Sequence, residues 1–226
     1  MSFELNSVVP WGRNFDEYRS MFGLTLSDLS QQIISFGDGP SSFNFEMTKR
    51  KRKVISLDPI YQFSKDELKL RISKTKDEIL KQTKQNQENF TWTKIKSVYD
   101  LERVRMDAMT KFLEDFELGK RQNRYIPHEM PNPTQYPDLS FDLGLSSHFL
   151  ILYSQLGLDF HLQSISEMLR ICKEIRIFPI LNLNAVKSEV VDGILAFFQK
   201  DFSIGIEYVD YEFQKGGKQM MKISRK

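Results

Sequence analysis

The sequence predicts an α/β fold, a mostly parallel sheet flanked by helices and closed at one edge by an antiparallel hairpin. Short apolar runs alternate with helical stretches along most of the chain, and a glycine turn follows the first of these runs. Two strand-like segments, residues 204–213 and 220–223, flank a Lys-Gly-Gly-Lys turn near the end. The 226 residues, 40% of them hydrophobic, are enough for a single domain that spans residues 1–226.

Residues 1–30 are predicted to form a helical lid. Asn14 can cap a short helix with an aromatic side, and Thr25 or Ser27 can begin a second one. Trp11 lies in the rigid turn before these helices. It either anchors this end of the chain or forms a flap over a ligand, and the sequence leaves both interpretations open.

The first predicted strand, residues 32–36, leads into the turn Gly37-Asp38-Gly39 and a short helix near residues 43–47. Five consecutive cations at residues 49–53 follow, and they are either a polyanion-binding patch or a solvated turn at a helix end. The next strand, residues 54–57, ends at Asp58.

Residues 64–120 are predicted to form a helical insertion between the second and third strands. Ser64 and Ser97 each begin an N-terminal capping pattern, and Gly119 is expected to end the second helix. The aromatic turn at residues 86–93 is expected to pack on the sheet or to cover the site.

Three more strands and two helices complete the alternation. The strands are expected at residues 124–126, 141–148 and 174–181, and the helices at residues 159–173 and 188–198. In an open parallel sheet, ligands bind beyond the carboxyl ends of the strands. Candidate site positions are therefore residues 37–41, 58–62, 128–129 and 146–148.

The spacing of the glycine turn and the next acid favours a nucleoside ligand. Gly37 and Gly39 allow the backbone to approach a ligand closely, and the following helix start offers unpaired N–H groups. Asp58 lies 21 residues after Gly37, at the distance where a strand-terminal acid can accept hydrogen bonds from both ribose hydroxyls.

On these motifs the chain resembles class I S-adenosylmethionine-dependent methyltransferases. The glycine turn, the strand Val-Ile-Ser-Leu-Asp, the strand Ser-Phe-Asp-Leu-Gly-Leu-Ser-Ser-His and the terminal hairpin follow the order of that family. Segments such as VPWGRNFDEY, DPIYQF and YEFQKGGKQM resemble a poorly characterised bacterial group of it. The resemblance implies a Rossmann-like, seven-stranded sheet with an antiparallel last strand, and S-adenosyl-L-methionine as cofactor.

The resemblance also implies roles for individual residues. It places the cofactor's methionine part against the glycine turn, its ribose on the strand-terminal acid, its adenine beside the residues that follow, and the acceptor near the end of the fourth strand. The implied cofactor-binding residues are Gly37, Asp38, Gly39, Asp58, Pro59, Ile60, Tyr61, Glu129 and Ser146. Either Glu129 or its neighbour His128 would lie near the adenine amino group. Two positions depart from the family motif, because Ser35 stands where an acid is usual and Ser41 where a third glycine is usual.

Methyl transfer mainly requires alignment of donor and acceptor, so no elaborate catalytic constellation is expected. His148 is the candidate general base, and its alternative role is that of a structural histidine in the pocket wall. His161 is interpreted as structural, and the three histidines and Cys172 lack metal-ligand spacing. The charge of +2, the single cysteine and the lack of a signal or spanning segment predict a cytoplasmic protein without a nucleic-acid or membrane partner.

Three functions therefore compete at this stage. The first is a methyltransferase with a small-molecule acceptor. The second is a non-catalytic interaction protein that retains the fold, which the substitutions at Ser35 and Ser41 motivate. The third is a nicotinamide-dependent oxidoreductase, which fits the strand-terminal acid but lacks the third glycine of Gly-x-Gly-x-x-Gly, where Ser42 stands.

Overall fold

The computed structural model of the protein describes residues 10–226. It contains a seven-stranded sheet in the order β3-β2-β1-β4-β5-β7-β6. The strands are β1 (Ile33–Phe36), β2 (Val54–Leu57), β3 (Tyr125–Ile126), β4 (Phe141–Ser147), β5 (Cys172–Phe178), β6 (Phe202–Tyr208) and β7 (Gln219–Arg225). β7 is antiparallel to both of its neighbours, and the pairs among β1 to β5 are parallel. The predicted fold class is confirmed.

Six α-helices of the described residues surround the sheet. They are α1 (Phe15–Phe22), α2 (Phe43–Lys49), α3 (Lys65–Gln85), α4 (Val98–Arg121), α5 (Leu158–Ile171) and α6 (Val190–Phe198). The segment predicted to begin at Thr25 or Ser27 is a single 3₁₀ turn, Asp28–Ser30. Of the predicted lid, residues 1–9 lie outside the described residues. The division of the chain into a lid, a core and an insertion stays a prediction.

The two helices of the insertion lie between β2 and β3, where they were expected. Ser64 caps α3 in a complete capping box with Glu67, and the Ser97 hydroxyl accepts the amide of Asp100 at the start of α4. The prediction that Gly119 ends α4 is wrong, because the helix continues to Arg121. Gly119 instead gives the Tyr125 ring room, since a Cβ there would lie 2.3 Å from it.

β5 begins and ends earlier than the predicted strand, residues 174–181. Cys172, expected at a helix end, is the first residue of β5, and the strand stops at Phe178, before Pro179, which has no N–H to donate to a neighbouring strand. Cys172 is a buried free thiol whose pKa is raised by burial. It packs in the apolar layer between the sheet and α5 and α6. This placement agrees with its interpretation as a small apolar core residue.

Apolar residues fill both faces of the sheet. One cluster joins α5 and α6 to the sheet, and a second joins α1 and α2 to the other face. A third, mostly aromatic, lies between α3, α4, β3 and the turn after β2. β1 is buried at all four positions, as the continuous apolar run predicts for a central parallel strand. The core thereby fixes the ends of β1, β2 and β4, where the polar site residues lie.

Candidate functional site

A cavity of about 450 Å³ opens beyond the carboxyl ends of β1, β2, β3 and β4. The strand order reverses between β1 and β4, which makes this the point where open α/β sheets place their ligands. Most of the predicted site residues lie together on its wall: Gly37, Asp38, Gly39, Asp58, Pro59, Ile60, Glu129 and His148. Residues far apart in sequence therefore converge on one enclosure of ligand size.

Both glycines of the turn have a backbone conformation that favours glycine, and Gly37 is also crowded by a neighbouring ring. Gly37 and Gly39 adopt φ values of 64° and 55°, in the left-handed region that side chains rarely tolerate. A Cβ at Gly37 would lie 2.5 Å from the ring of Phe149, whereas one at Gly39 would meet nothing within 4 Å. The backbone at Gly39 thus faces open space, and the backbone at Gly37 is covered by Phe149.

Asp58 lies where β2 ends and binds the glycine turn directly. Its Oδ2 accepts the amide of Gly39 at 2.8 Å, and its Oδ1 accepts the amide of Ile60 at 2.9 Å. Burial raises the pKa of Asp58 to about 6, and the negative charge of Asp38 contributes. Each carboxylate oxygen has two lone pairs, so one acceptor position on each oxygen remains for a ligand.

Asp38 has a different environment from that of Asp58. Its Oδ1 accepts the Ser35 hydroxyl at 2.7 Å and also the Tyr18 hydroxyl, and its Oδ2 accepts the Ser56 hydroxyl at 2.5 Å. Burial raises the pKa of this carboxyl. Only one of its four acceptor positions is left, so Asp38 mainly holds the turn in place.

Ser35, the first departure from the family motif, is tied to the glycine turn. Its hydroxyl donates to the carboxylate of Asp38, three residues later in the chain, at 2.7 Å. A carboxyl group therefore lies beside Ser35 at the end of β1. Sequence periodicity does not indicate this contact, since it depends on the backbone of the turn.

Ser41, the second departure, binds the N-terminal segment. Its hydroxyl donates to the carbonyl of Arg13 at 3.0 Å and accepts the amide of Phe43 at 3.1 Å. The amide of Ser42 donates to the same Arg13 carbonyl at 3.0 Å. Gly12 lies so close to Pro40 that a Cβ there would be 2.1 Å from the Pro40 carbonyl oxygen. The segment around Arg13 is therefore fixed against the glycine loop.

Two predicted site residues lie behind the cavity wall. Tyr61 is fully buried, packs edge-on against Tyr125 at 5.3 Å, and donates its hydroxyl to the carbonyl of Gly39 at 2.8 Å. Ser146 is also fully buried, and its neighbour Ser147 lines the cavity instead. Tyr61 thus stabilises the glycine turn through its hydroxyl, on the side away from the cavity. The sequence does not indicate this role.

The segment after β3 forms another part of the wall. Glu129 is exposed at the cavity, Met130 beside it is buried, and the His128 ring nitrogen Nε2 is 2.9 Å from the carbonyl of Asn132. Pro59 and Ile60 line the wall from the turn after β2. This part of the wall therefore offers the apolar surface of Pro59, Ile60 and Met130, with the Glu129 carboxylate at its edge.

His148 follows β4 in a strained conformation, with φ at 53°. Its amide donates to the carbonyl of Phe178 at 2.7 Å, and its Nδ1 is 2.9 Å from the Ser147 hydroxyl. Burial lowers the pKa of His148 well below 6.5, and the charges of Arg13 and Arg105 lower it further. The imidazole is therefore neutral near pH 7 and can accept a proton.

A buried ion pair joins the elements above the cavity. Arg105 of α4 is fully buried and donates through Nη1 to both carboxylate oxygens of Glu17 in α1. Tyr211, from the loop between β6 and β7, donates its hydroxyl to Glu17 at 2.9 Å. One signal in the sequence marks this network, because Arg105 lies on the buried side of α4, between Leu101 and Ala108 at helical spacing.

The aromatic turn of the insertion, residues 86–93, covers the cavity. This is one of the two placements that the sequence predicts for it. Phe90 lines the cavity and stacks on Phe213 at a centroid distance of 4.9 Å, and Trp92 meets the same ring edge-on at 5.4 Å. The amide of Thr91 donates to the carbonyl of Phe213 at 2.7 Å. This turn and the β6–β7 loop therefore close the cavity together.

The sequence comparison identifies the family of the chain. The chain is 38% identical over 223 residues to the uncharacterized protein MJ0045 of Methanocaldococcus jannaschii, covering 98% of both chains. The chain belongs to the MJ0045 family. No protein-family model matches it. The bacterial affiliation suggested by the sequence motifs stays a prediction, since this MJ0045-family relative comes from Methanocaldococcus jannaschii.

Among solved structures, the MJ0045-family chain is similar to a SAM-dependent methyltransferase from Aquifex aeolicus. The identity is 13%, the coverage is 92% of each chain, and the TM-score is 0.43. A putative S-adenosyl-L-methionine-dependent methyltransferase from Methanococcus maripaludis shares 12% identity, covers 93% of this chain and 82% of its own, and has a TM-score of 0.42. At TM-scores below 0.5, these neighbours carry no weight in assigning a function.

Neither a metal-ligand group nor a membrane-crossing helix is found in residues 10–226. No group of three His, Cys, Asp or Glu side chains in this part of the chain is arranged to hold a metal ion. Of the helices in the same residues, none is both long and apolar enough to cross a membrane.

Proposed function

We propose that the protein is an S-adenosylmethionine-dependent methyltransferase with a small-molecule acceptor. The observation that carries the proposal is the joint position of Asp58 and the Gly37–Gly39 turn at the reversal point of the sheet. Asp58 is oriented by two backbone amides and keeps acceptor positions for two ribose hydroxyls. Its hydrogen bond to Gly39 ties this acceptor to the open side of the glycine turn.

The residues on the wall fit the parts of the cofactor. Asp58 would hold the ribose, Pro59 and Ile60 would contact the adenine, and Glu129 would lie near its amino group. The methionine part of the cofactor would lie against the glycine turn, where the space beside Gly39 is open. When bound, S-adenosylmethionine supplies an electrophilic methyl group on a sulfonium sulfur.

The chain's own contribution is to align the acceptor, exclude water and remove a proton where the acceptor requires it. The roof formed by Phe90 and Phe213 limits access of water to the cavity. His148 faces the cavity in neutral form, and an imidazole nitrogen can take the proton that a hydroxyl or amine acceptor releases. The lowered pKa makes His148 a weak base, which suits an acceptor that loses its proton only as the methyl group arrives.

The competing oxidoreductase proposal has less support at the turn. The third glycine of the dinucleotide fingerprint permits close packing at the helix start. Ser42 occupies that position here, is fully buried and donates its amide to the carbonyl of Arg13. The position is thus used to hold the N-terminal segment.

Ligand-induced thermal stabilisation tests the proposal. S-adenosylhomocysteine at 100 times its dissociation constant stabilises a protein by about 2.7 kcal/mol. For a chain of this size that is a rise in Tm of about 5–11 °C. We expect a rise of this order with S-adenosylmethionine or S-adenosylhomocysteine, none with NAD, and its loss in Asp58→Ala.

Asp77→Ala is the matched control, because the Asp77 side chain is 79% exposed on α3. This variant should keep the whole shift. Absence of a shift at millimolar S-adenosylmethionine and S-adenosylhomocysteine would contradict the proposal and favour a non-catalytic interaction protein. Transfer of a labelled methyl group to small molecules of a cell extract would exclude that alternative.

A further inference from the structure

Arg13 brings a cation to the cavity without a matching carboxylate. Its backbone is fixed by Ser41 and Ser42, and its side chain lines the cavity. The guanidinium donates through Nη1 to the carbonyl of Trp11 in its own segment, and its buried Nε has no hydrogen-bond partner. Among residues 10–226, no carboxylate forms a salt bridge with Arg13.

The neighbouring ion pair cannot neutralise this charge. Glu17 is the acid whose charge acts on Arg13. Its carboxylate already accepts hydrogen bonds from Arg105, from the Tyr211 hydroxyl and from the Asn14 amide. Arg13 and Arg105 together outnumber Glu17 by one positive charge. Burial and the charge of Arg105 lower the pKa of Arg13 to about 10, so the guanidinium stays protonated at neutral pH.

Arg13 is half-buried, and a positive charge that leaves water without a partner is costly unless a ligand compensates it. The lining of the same cavity is largely apolar and includes Trp11, Phe90 and Phe213. A planar guanidinium with free N–H groups matches the two oxygens of a carboxylate. The cavity therefore combines one anion-binding group with an aromatic enclosure.

Arg13 and the candidate base His148 line the same cavity. The positive charge of Arg13 also lowers the pKa of His148, after the larger effect of burial. The cation therefore acts on the part of the cavity where a proton would be removed.

We propose that the methyl acceptor is a small aromatic or otherwise apolar organic acid whose carboxylate pairs with Arg13. This inference rests on the proposed function and names the substrate class of the same site. The acid's apolar body contacts the aromatic roof, and its carboxylate supplies the negative charge that this part of the cavity lacks. The carboxylate of the cofactor's methionine is the other source of such a charge, and the experiment separates the two.

Calorimetric titration with matched acid and amide probes tests the inference. Benzoate, phenylacetate and cinnamate are each compared with their amides on protein saturated with S-adenosylhomocysteine. We expect at least one acid to bind about tenfold or more tightly than its amide, since a charge-assisted hydrogen bond is lost in the amide. Arg13→Gln should abolish this preference, and Arg13→Lys should restore part of it.

Arg103→Gln is the control, because the Arg103 side chain is 66% exposed on α4 and should leave the preference unchanged. The affinity for S-adenosylhomocysteine should stay within about twofold in Arg13→Gln, which also shows that this variant is folded. Equal binding of every acid and its amide would overturn the inference, as would an unchanged acid preference in Arg13→Gln. A tenfold loss of S-adenosylhomocysteine affinity in Arg13→Gln would overturn it too, by assigning Arg13 to the cofactor.

Failure of the proposed function has a different signature. In that case, wild-type protein would not bind S-adenosylhomocysteine at all. Normal binding of S-adenosylhomocysteine without any acid preference would overturn the substrate class alone.

Discussion

Replacing Glu17 by Gln should strongly destabilise the protein, because it leaves Arg105 buried without its charge partner. Arg105 is fully buried and Glu17 is 8% exposed, so water cannot take over the role of the carboxylate. The carboxylate accepts two hydrogen bonds from Nη1 of Arg105 and one from Tyr211. The other contacts of Arg105 are weak, because its Nη2 reaches only the neutral Tyr211 hydroxyl at 3.4 Å and its buried Nε has no hydrogen-bond partner.

The magnitude follows from the burial of both partners. Breaking a buried pair by removing one partner costs about 3–5 kcal/mol. For a chain of this length, 1 kcal/mol corresponds to about 2–4 °C in Tm, so Glu17→Gln should melt about 6–20 °C below wild type. Differential scanning calorimetry measures this loss directly.

Two control variants sharpen the test. Replacing both partners by apolar residues, in Glu17→Leu with Arg105→Met, should recover much of the lost stability, since the fully buried Arg105 charge is then removed together with its partner. Arg103→Gln breaks an exposed pair with Asp100 on the same helix and should cost at most about 1 kcal/mol. A Glu17→Gln variant that melts within 2 °C of wild type would refute the reasoning.

The glycine turn and its acid give two further predictions. In thermal denaturation, Gly37→Ala should lower Tm more than Gly39→Ala does. Both substitutions place a side chain at positive φ, but only the one at Gly37 also clashes with the Phe149 ring. Equal decreases in Tm for the two variants would contradict this contact. The affinity for S-adenosylhomocysteine, measured by calorimetry, should weaken as the pH falls through about 6, because Asp58 then takes up a proton and loses an acceptor position. The affinity of Asp58→Asn should be lower than that of wild type and independent of pH across this range. A wild-type affinity that does not change with pH would contradict the role of Asp58.

Much of the fold can be read from local patterns. The apolar runs that became β1 and β2, the capping signals at Ser64 and Ser97, and the terminal hairpin all depend on neighbours within a few residues. Element boundaries were harder to predict where tertiary contacts override local preference. Gly119 lies inside α4, where it leaves room for the Tyr125 ring, a contact that sequence spacing does not show.

The candidate site divides in the same way. That the glycine turn and Asp58 each follow a strand could be predicted from the sequence, because each stands directly after a short apolar run. Which polar groups face the cavity depends on the tertiary structure. It turned Asp38 toward Ser35, Tyr18 and Ser56, and placed Tyr61 behind the turn.

The charge balance of the cavity also required the tertiary structure. Four separate parts of the chain contribute to it: the N-terminal segment with Arg13, α1 with Glu17, α4 with Arg105, and the β6–β7 loop with Tyr211. In sequence they are ordinary charged and aromatic residues, and the chain as a whole is almost neutral. Burial makes one unmatched positive charge significant, because the free energy of a charge depends on its surroundings. Sequence order does not specify those surroundings.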